Sequence, residues 1–148
     1  MVEFSIRKAR KEDFPAIRKL IHTVQINPIG LDWRRFLVAV TLENEILGCG
    51  QIKPHGDGSI ELASIAVQKH ARGHGVARAV IEELLVREPR RPVYLMCRAR
   101  LESLYVKFGF LAIGAAEMPH YFQQISRAER IFNRNAAAED RLLVMRLG

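Results

Sequence analysis

Hydrophobic and polar residues alternate along this chain with two different periods, and each period predicts one type of element. Alternating or short continuous apolar segments are typical of strands, and they lie at 4–7, 36–42, 46–53, 60–67, 93–97, 110–113 and 142–147. Apolar residues three or four positions apart are typical of amphipathic helices, and they lie at 14–24, 75–87, 101–108 and 119–133. In the last helix this spacing predicts an inner face of Tyr121, Ile125, Ala128 and Phe132.

The order of these predicted elements indicates the fold class. A strand and a helix come first, a meander of three strands follows, and alternating helices and strands complete the chain. This order predicts an α/β (mixed α+β) fold, in which a mixed sheet carries helices on both faces. Because no linker or internal repeat interrupts the pattern, we expect one domain over residues 1–148.

Composition narrows the classes of protein without choosing a function. The 148 residues carry a net charge of +7, which suits nucleic acid, a membrane surface or an anionic small molecule. No apolar segment reaches the roughly 20 residues that span a bilayer, and the N-terminus lacks the apolar core of a signal peptide. Cys49 and Cys97 lie singly in apolar segments, so we expect reduced core thiols in a cytoplasmic protein and no metal site.

A glycine-containing loop lies between the strand at 60–67 and the helix at 75–87. Gly73 and Gly75 let the backbone approach a ligand, and the helix N-terminus supplies unpaired N–H donors, so the pair predicts an anion site, although a tight turn explains the glycines equally well. The sequence does not fit a P-loop, because no Lys-Ser or Lys-Thr follows the second glycine. It does not fit a dinucleotide-binding loop either, because residues 68–72 separate the glycines from the strand.

Two motifs in the right order resemble the GNAT superfamily of N-acetyltransferases. The segment Arg72–Gly73–His74–Gly75–Val76–Ala77 is similar to the family signature [Q/R]-x-x-G-x-[G/A], and Tyr105 with Gly109 and Phe110 is similar to a second conserved helix end. The resemblance covers nearly the whole chain. It implies a mostly antiparallel, twisted sheet of six to seven strands and acetyl-CoA as cosubstrate. The implied cofactor-binding residues are Ile65, Ala66, Val67, Arg72, Gly73, His74, Gly75, Val76, Ala77 and Arg98.

Within that set, the resemblance implies different contacts. Residues 72–77 bind the pyrophosphate. Ala66 and Val67, at the splayed end of the fourth strand, offer backbone donors to the tetrahedral oxyanion, and the pantetheine arm lies beside that strand. Arg98 stands where many members carry an asparagine that contacts the arm.

The chemistry of amide formation suggests two catalytic residues. An amine with a pKa near 10.4 loses its proton at pH 7 at a cost of about 4–5 kcal/mol, so a positioned base is useful. The resemblance implies Glu61 as that base and Tyr105 as the acid that protonates the leaving thiolate. An exposed strand carboxylate and a packing tyrosine remain the alternatives.

The acceptor and the partners are less defined by the sequence. The resemblance implies direct attack by a primary amine, from a small molecule or a peptide, in a ternary complex. The alternative is a non-catalytic CoA-binding or nucleic-acid-associated module that uses the basic surface, including Arg127, Arg130 and Arg134. Because the chain has no recognised nucleic-acid-reading motif, we expect no nucleic acid and no membrane as partner, and a homodimer stays open.

Overall fold

The computed structural model describes residues 2–148, and its strands and helices follow the predicted order. The strands are β1 Ser5–Lys8, β2 Phe36–Val40, β3 Ile46–Pro54, β4 Ile60–Val67, β5 Val93–Arg98, β6 Leu111–Ala112 and β7 Leu142–Leu147. The helices are α1 Phe14–Thr23, α2 Val76–Arg87, α3 Glu102–Val106 and α4 His120–Phe132.

Hydrogen bonding joins the strands into a seven-stranded sheet with the order β1-β2-β3-β4-β5-β7-β6. The β1–β2, β2–β3, β5–β7 and β6–β7 pairs are antiparallel. β4 and β5 are parallel, with Glu61 opposite Tyr94. The predicted fold class, a mixed and mostly antiparallel sheet, is therefore confirmed.

The chain divides into two compact units, and the first contains the residues up to Lys53 together with Leu62–Pro89. In this unit, Cys49 of β3 belongs to an apolar cluster that includes Ile17 and Leu20 of α1. Gly50 faces the other way, and a Cβ there would lie 2.9 Å from Cγ1 of Val80 in α2. Since successive residues of a strand point to opposite faces, α1 and α2 cover opposite faces of the sheet, as predicted.

The second unit contains Pro54–Glu61 and Arg90–Gly148. Its apolar cluster joins Tyr94 of β5, Phe122 of α4 and Val144 of β7. The predicted inner face of α4 is wrong in part, because Phe122 is fully buried whereas Phe132 is 83% exposed. Phe132 is the last residue of α4, so it extends past the sheet surface that Phe122 covers.

Two expectations from the sequence concern the chain as a whole. One domain over residues 1–148 stays a prediction. None of the helices within residues 2–148 combines the length and the hydropathy of a membrane span.

Candidate functional site

The segment between β4 and α2 is held at both ends before it reaches the glycines. The N–H of Gln68 donates to the carbonyl of Leu47 at 2.8 Å, which fixes the exit from β4. One 3-10 turn, Lys69–Ala71, follows, and its last residue, Ala71, is fully buried. The five residues that separate the strand from the glycines therefore form an anchored turn, which returns the chain to the start of α2.

Both glycines of the loop adopt a backbone conformation that other residues avoid. Gly73 has φ +79° and Gly75 has φ +80°, in the left-handed region, and no atom lies within 4 Å of a Cβ built at either position. Gly75 is also the residue that precedes α2, and as a glycine it has no side chain that could cap the helix. The first N–H groups of α2 have no partner within the helix, so they are available to an anion.

The predicted pyrophosphate residues differ in exposure along this loop. Arg72, Gly73, His74 and Gly75 are exposed, whereas Val76 is buried and anchors the first turn of α2. An exposed backbone with positive φ, next to a helix N-terminus and the Arg72 cation, fits a diphosphate. The segment is therefore suited to the group that the sequence predicts there.

The last residues of β4 carry the other predicted coenzyme contacts in this unit. Ala66 is buried in the apolar cluster of α1, whereas Ile65 and Val67 are half-buried and lie near the α2 side of β3. Ser64, just before them, has φ +61°. This conformation costs a non-glycine residue about 1–3 kcal/mol, and in β4 it interrupts the regular extended backbone.

Ser64 is a residue that the sequence reasoning missed. Its hydroxyl accepts a hydrogen bond from Nε2 of Gln51 at 2.9 Å, and its carbonyl accepts a weak one from Sγ of Cys49 at 3.6 Å. Both partners lie on β3, so they support the unusual backbone of β4 from the neighbouring strand. No sequence signal marks Ser64, because the apolar pattern of β4 predicts regular extended backbone through the whole strand.

Glu61, the predicted base, lies at the start of β4 in the second unit. It is 5% exposed, so the alternative of an exposed strand carboxylate is excluded. Nε2 of His55 lies 2.8 Å from its Oε1, and both side chains are 7% exposed. Tyr94, opposite Glu61 on β5, is also buried. The carboxylate is thus held in a largely water-free environment by a specific partner.

His55 is not marked by the sequence, since its spacing from the other histidines fits no metal site. It lies in the turn between β3 and β4, where its backbone N–H donates to the carbonyl of Ser59 at 3.0 Å. This backbone hydrogen bond holds His55 beside Ser59, which lies two residues before Glu61. The available signal was the predicted turn itself, since pairing across it brings residues 55 and 59 together.

Tyr105, the predicted acid, lies in α3 and is 9% exposed. Burial, and to a lesser extent the nearby Cys97, raises the pKa of its hydroxyl to about 12. The hydroxyl therefore keeps its proton throughout the neutral range. Its ring packs edge-on against Phe110 with 6.3 Å between centroids, which fixes the side chain.

Cys97, at the end of β5, does not have the properties of a nucleophile. Burial raises the pKa of its thiol to about 11, and Glu102 contributes to the same effect. Its Sγ lies 3.7 Å from Sδ of Met145. Both cysteines are free and buried, as predicted for core thiols.

Arg98 is committed to contacts inside the second unit. Its Nη1 pairs with Glu129 of α4 and donates to the carbonyl of Asp140 at 3.2 Å. The hydrogen bond from Arg98 is the main cause of the lowered pKa of Glu129. Arg98 therefore ties the end of β5 to α4 and to the segment before β7. Its predicted coenzyme contact stays a prediction.

The predicted residues form two sets. Ile65 to Val67 and Arg72 to Ala77 belong to the first unit, and Glu61, Arg98 and Tyr105 belong to the second. Within residues 2–148, no three His, Cys, Asp or Glu side chains are grouped so as to hold a metal ion.

One family model matches this chain. The sequence profile of the acetyltransferase (GNAT) domain matches residues 32–111, which is more than half of the chain and includes the glycine loop and Tyr105. A comparison with curated protein sequences returned no match.

Solved structures with the same fold include several complexes with CoA. Rv2747 from Mycobacterium tuberculosis, solved with CoA and a second ligand, NLQ, has a TM-score of 0.73 at 22% identity and covers 97% of this chain and 98% of its own. N-acetylglutamate synthase from Neisseria gonorrhoeae, complexed with coenzyme A and N-acetyl-glutamate, has a TM-score of 0.71 at 19% identity; the match covers all of this chain but 36% of the synthase. Escherichia coli ElaA matches over the full length of both chains, with a TM-score of 0.67 at 17% identity. At these identities the likeness establishes the fold.

Proposed function

The chain belongs to the GNAT family of acetyltransferases, and from that premise we propose the roles of its residues. The enzyme transfers an acetyl group from acetyl-CoA to an amine. We take the acceptor to be a primary amine of a small molecule, which attacks the thioester directly. Two free, buried cysteines support a cytoplasmic location, where such thiols stay reduced.

The observation that carries this proposal is the loop from Arg72 to Ala77. It combines two left-handed glycines with the N-terminus of α2 and lies inside the segment that matches the family. In the proposed complex, its backbone N–H groups and Arg72 bind the pyrophosphate of acetyl-CoA. The acetyl thioester supplies the electrophile, and the backbone of Ala66 and Val67 stabilises the oxyanion.

Glu61 is the general base of the proposed reaction. Its buried carboxylate takes the proton from the amine, directly or through one water, while the nitrogen bonds to the acetyl carbon. Tyr105 donates its proton to the sulfur as the C–S bond breaks. Direct attack, without an acetylated cysteine, is supported by the raised pKa of Cys97, since a thiol with a pKa of about 11 stays protonated near pH 7.

A small-molecule acceptor is supported by the contents of similar structures. The Neisseria gonorrhoeae synthase was solved with N-acetyl-glutamate, and the same enzyme was solved with coenzyme A and L-arginine. N-acetyl-glutamate is the N-acetylated form of glutamate, a small primary amine, and this supports a small-molecule acceptor.

Calorimetric titration with acetyl-CoA, followed by a thiol-release assay against a panel of amino acids, polyamines and peptides, tests the function. We expect saturable binding, a coenzyme-dependent rise in melting temperature, and thiol release with at least one amine. Absence of binding at millimolar coenzyme would contradict the proposal.

Replacing Tyr105 by phenylalanine tests its role as acid. We expect Tyr105→Phe to lower kcat by about 10- to 100-fold, at the low end for acid–base catalysis because a thiolate leaves readily. Since the pKa of Tyr105 is raised to about 12, the hydroxyl is protonated below pH 10 and the ratio of wild-type to variant kcat stays constant from pH 7 to 9.5. The measurement is a pH series of initial rates. Equal kcat values for Tyr105→Phe and wild type would exclude the role.

A further inference from the structure

The turn between β3 and β4 carries a histidine back onto the proposed base. His55 and Glu61 are six residues apart, yet Nε2 and Oε1 are 2.8 Å apart with both side chains 7% exposed. One proton must lie between these two atoms, because two acceptors at this distance would repel each other. With that proton on the imidazole, His55 donates and Glu61 is a carboxylate.

The imidazole of His55 is held on two sides by α4. Its ring stacks on the ring of Tyr121, with the two centroids 3.6 Å apart and the two planes at 15°. The ring of Phe122 makes an edge-to-face contact with it, with 5.6 Å between the centroids. Burial and, to a lesser extent, the negative charge of Glu61 raise the pKa of the Tyr121 hydroxyl, so this ring stays neutral. The ring of His55 therefore has little freedom to turn away from Glu61.

The start of α4 is itself fixed to the same turn. The N–H of Tyr121 donates to Oδ2 of Asp57 at 2.9 Å, and Oγ of Ser59 donates to Oδ1 at 2.6 Å. These bonds, with the Ser59 hydroxyl as the largest cause, lower the pKa of Asp57 to about 2, so the anchor is ionised at all working pH values. The Asp57 anchor thus fixes Tyr121 to the turn that carries His55.

We propose that His55 is a positioning residue, which holds Oε1 of Glu61 so that the carboxylate keeps one orientation toward the acceptor amine. This inference rests on the proposed function of Glu61. In the reaction, the N–C bond forms, the C–S bond breaks, the amine proton goes to Glu61, and the proton of Tyr105 goes to the sulfur. His55 keeps its own N–H and makes no contact with the reacting atoms.

The test is a double-mutant cycle between His55 and Glu61. His55→Phe keeps a ring to stack on Tyr121 but cannot donate, so we expect kcat/KM for the amine to fall about 10- to 100-fold, the size of effect that a small misplacement of a catalytic group produces. KM for acetyl-CoA should change less than twofold. His55→Gln retains an N–H donor and should recover most of the loss.

The cycle distinguishes positioning from a structural role. In a Glu61→Gln background, His55→Phe should cost less than twofold, because no carboxylate remains to be positioned. An equal loss in both backgrounds, or a His55→Gln variant as poor as His55→Phe, would overturn the proposal. His22→Phe, at an exposed histidine of α1, is the control, and melting temperatures of all variants monitor folding.

A crystal structure of His55→Phe provides a readout that does not depend on turnover. The proposal requires the Glu61 carboxylate to move by about 1 Å or more from its wild-type position, because the donor that holds its Oε1 is lost. A carboxylate that stays in place overturns the role of His55 whether or not the protein acetylates the amines offered. If the carboxylate moves in His55→Phe but the wild-type protein releases no thiol with any amine, the result counts against the proposed function instead.

Discussion

Glu61→Gln is expected to lower kcat/KM for the amine by about 10²- to 10⁴-fold, the range for loss of a general base. The substitution keeps the shape of the side chain but removes the carboxylate that takes the proton. Deprotonating a lysine-like amine in solution costs about 4–5 kcal/mol at pH 7, and the variant has no carboxylate at position 61 to accept that proton. Steady-state thiol release with the best acceptor of the panel is the measurement.

The affinity for acetyl-CoA distinguishes loss of the base from loss of the fold. We expect the dissociation constant of Glu61→Gln to match that of wild type, because the coenzyme loop does not include residue 61. Glu83→Gln is the matched control, since Glu83 is an α2 carboxylate that pairs only with Arg87 at 2.8 Å in the described ion pairs. Full activity of Glu61→Gln would show that the amine loses its proton elsewhere.

Gly75→Val is expected to weaken binding of acetyl-CoA by about 10- to 100-fold. Gly75 has φ +80°, where a side chain costs about 1–2 kcal/mol, and a branched one more. Relief of that strain turns the N–H groups at the start of α2 away from the pyrophosphate. Each 1.4 kcal/mol corresponds to a tenfold change in the dissociation constant, which calorimetry measures directly.

A second glycine offers a control for this substitution. Gly114 has φ −87° and ψ 170°, and no atom lies within 4 Å of a Cβ built there. Gly114→Val should therefore leave the dissociation constant for acetyl-CoA unchanged. Equal weakening by both substitutions, or unchanged binding by Gly75→Val, would mean that the loop does not bind the pyrophosphate through its backbone.

Most element boundaries could be predicted because they depend on local patterns. The limits of β4 and β7 agree with the prediction to the residue, and α2 begins one residue later than predicted. The inner face of α4 was harder to predict, because the helical period of its apolar residues does not say which of several apolar stripes packs on the sheet. Phe122, which the pattern left out, fills the space beside Tyr94 and Val144.

The surroundings of Glu61 could not be predicted from its position in a strand. Alternation predicts a face but not the side chains packed on that face. Burial of Glu61 depends on the turn that returns His55 and on α4, whose Tyr121 and Phe122 enclose the imidazole from a distant part of the chain. The unusual backbone of Ser64 likewise depends on Gln51 of the neighbouring strand.

The sequence by itself determined the order of elements, the fold class, the glycine loop and the family, because each depends on residue types at fixed local spacings. The tertiary structure alone decided that Glu61 is buried and bonded to His55, and that Arg98 is turned toward Glu129. These features depend on which side chains meet across strands and helices far apart in the chain. Packing and hydrogen bonding across the folded chain determine these contacts, and no local sequence pattern encodes them.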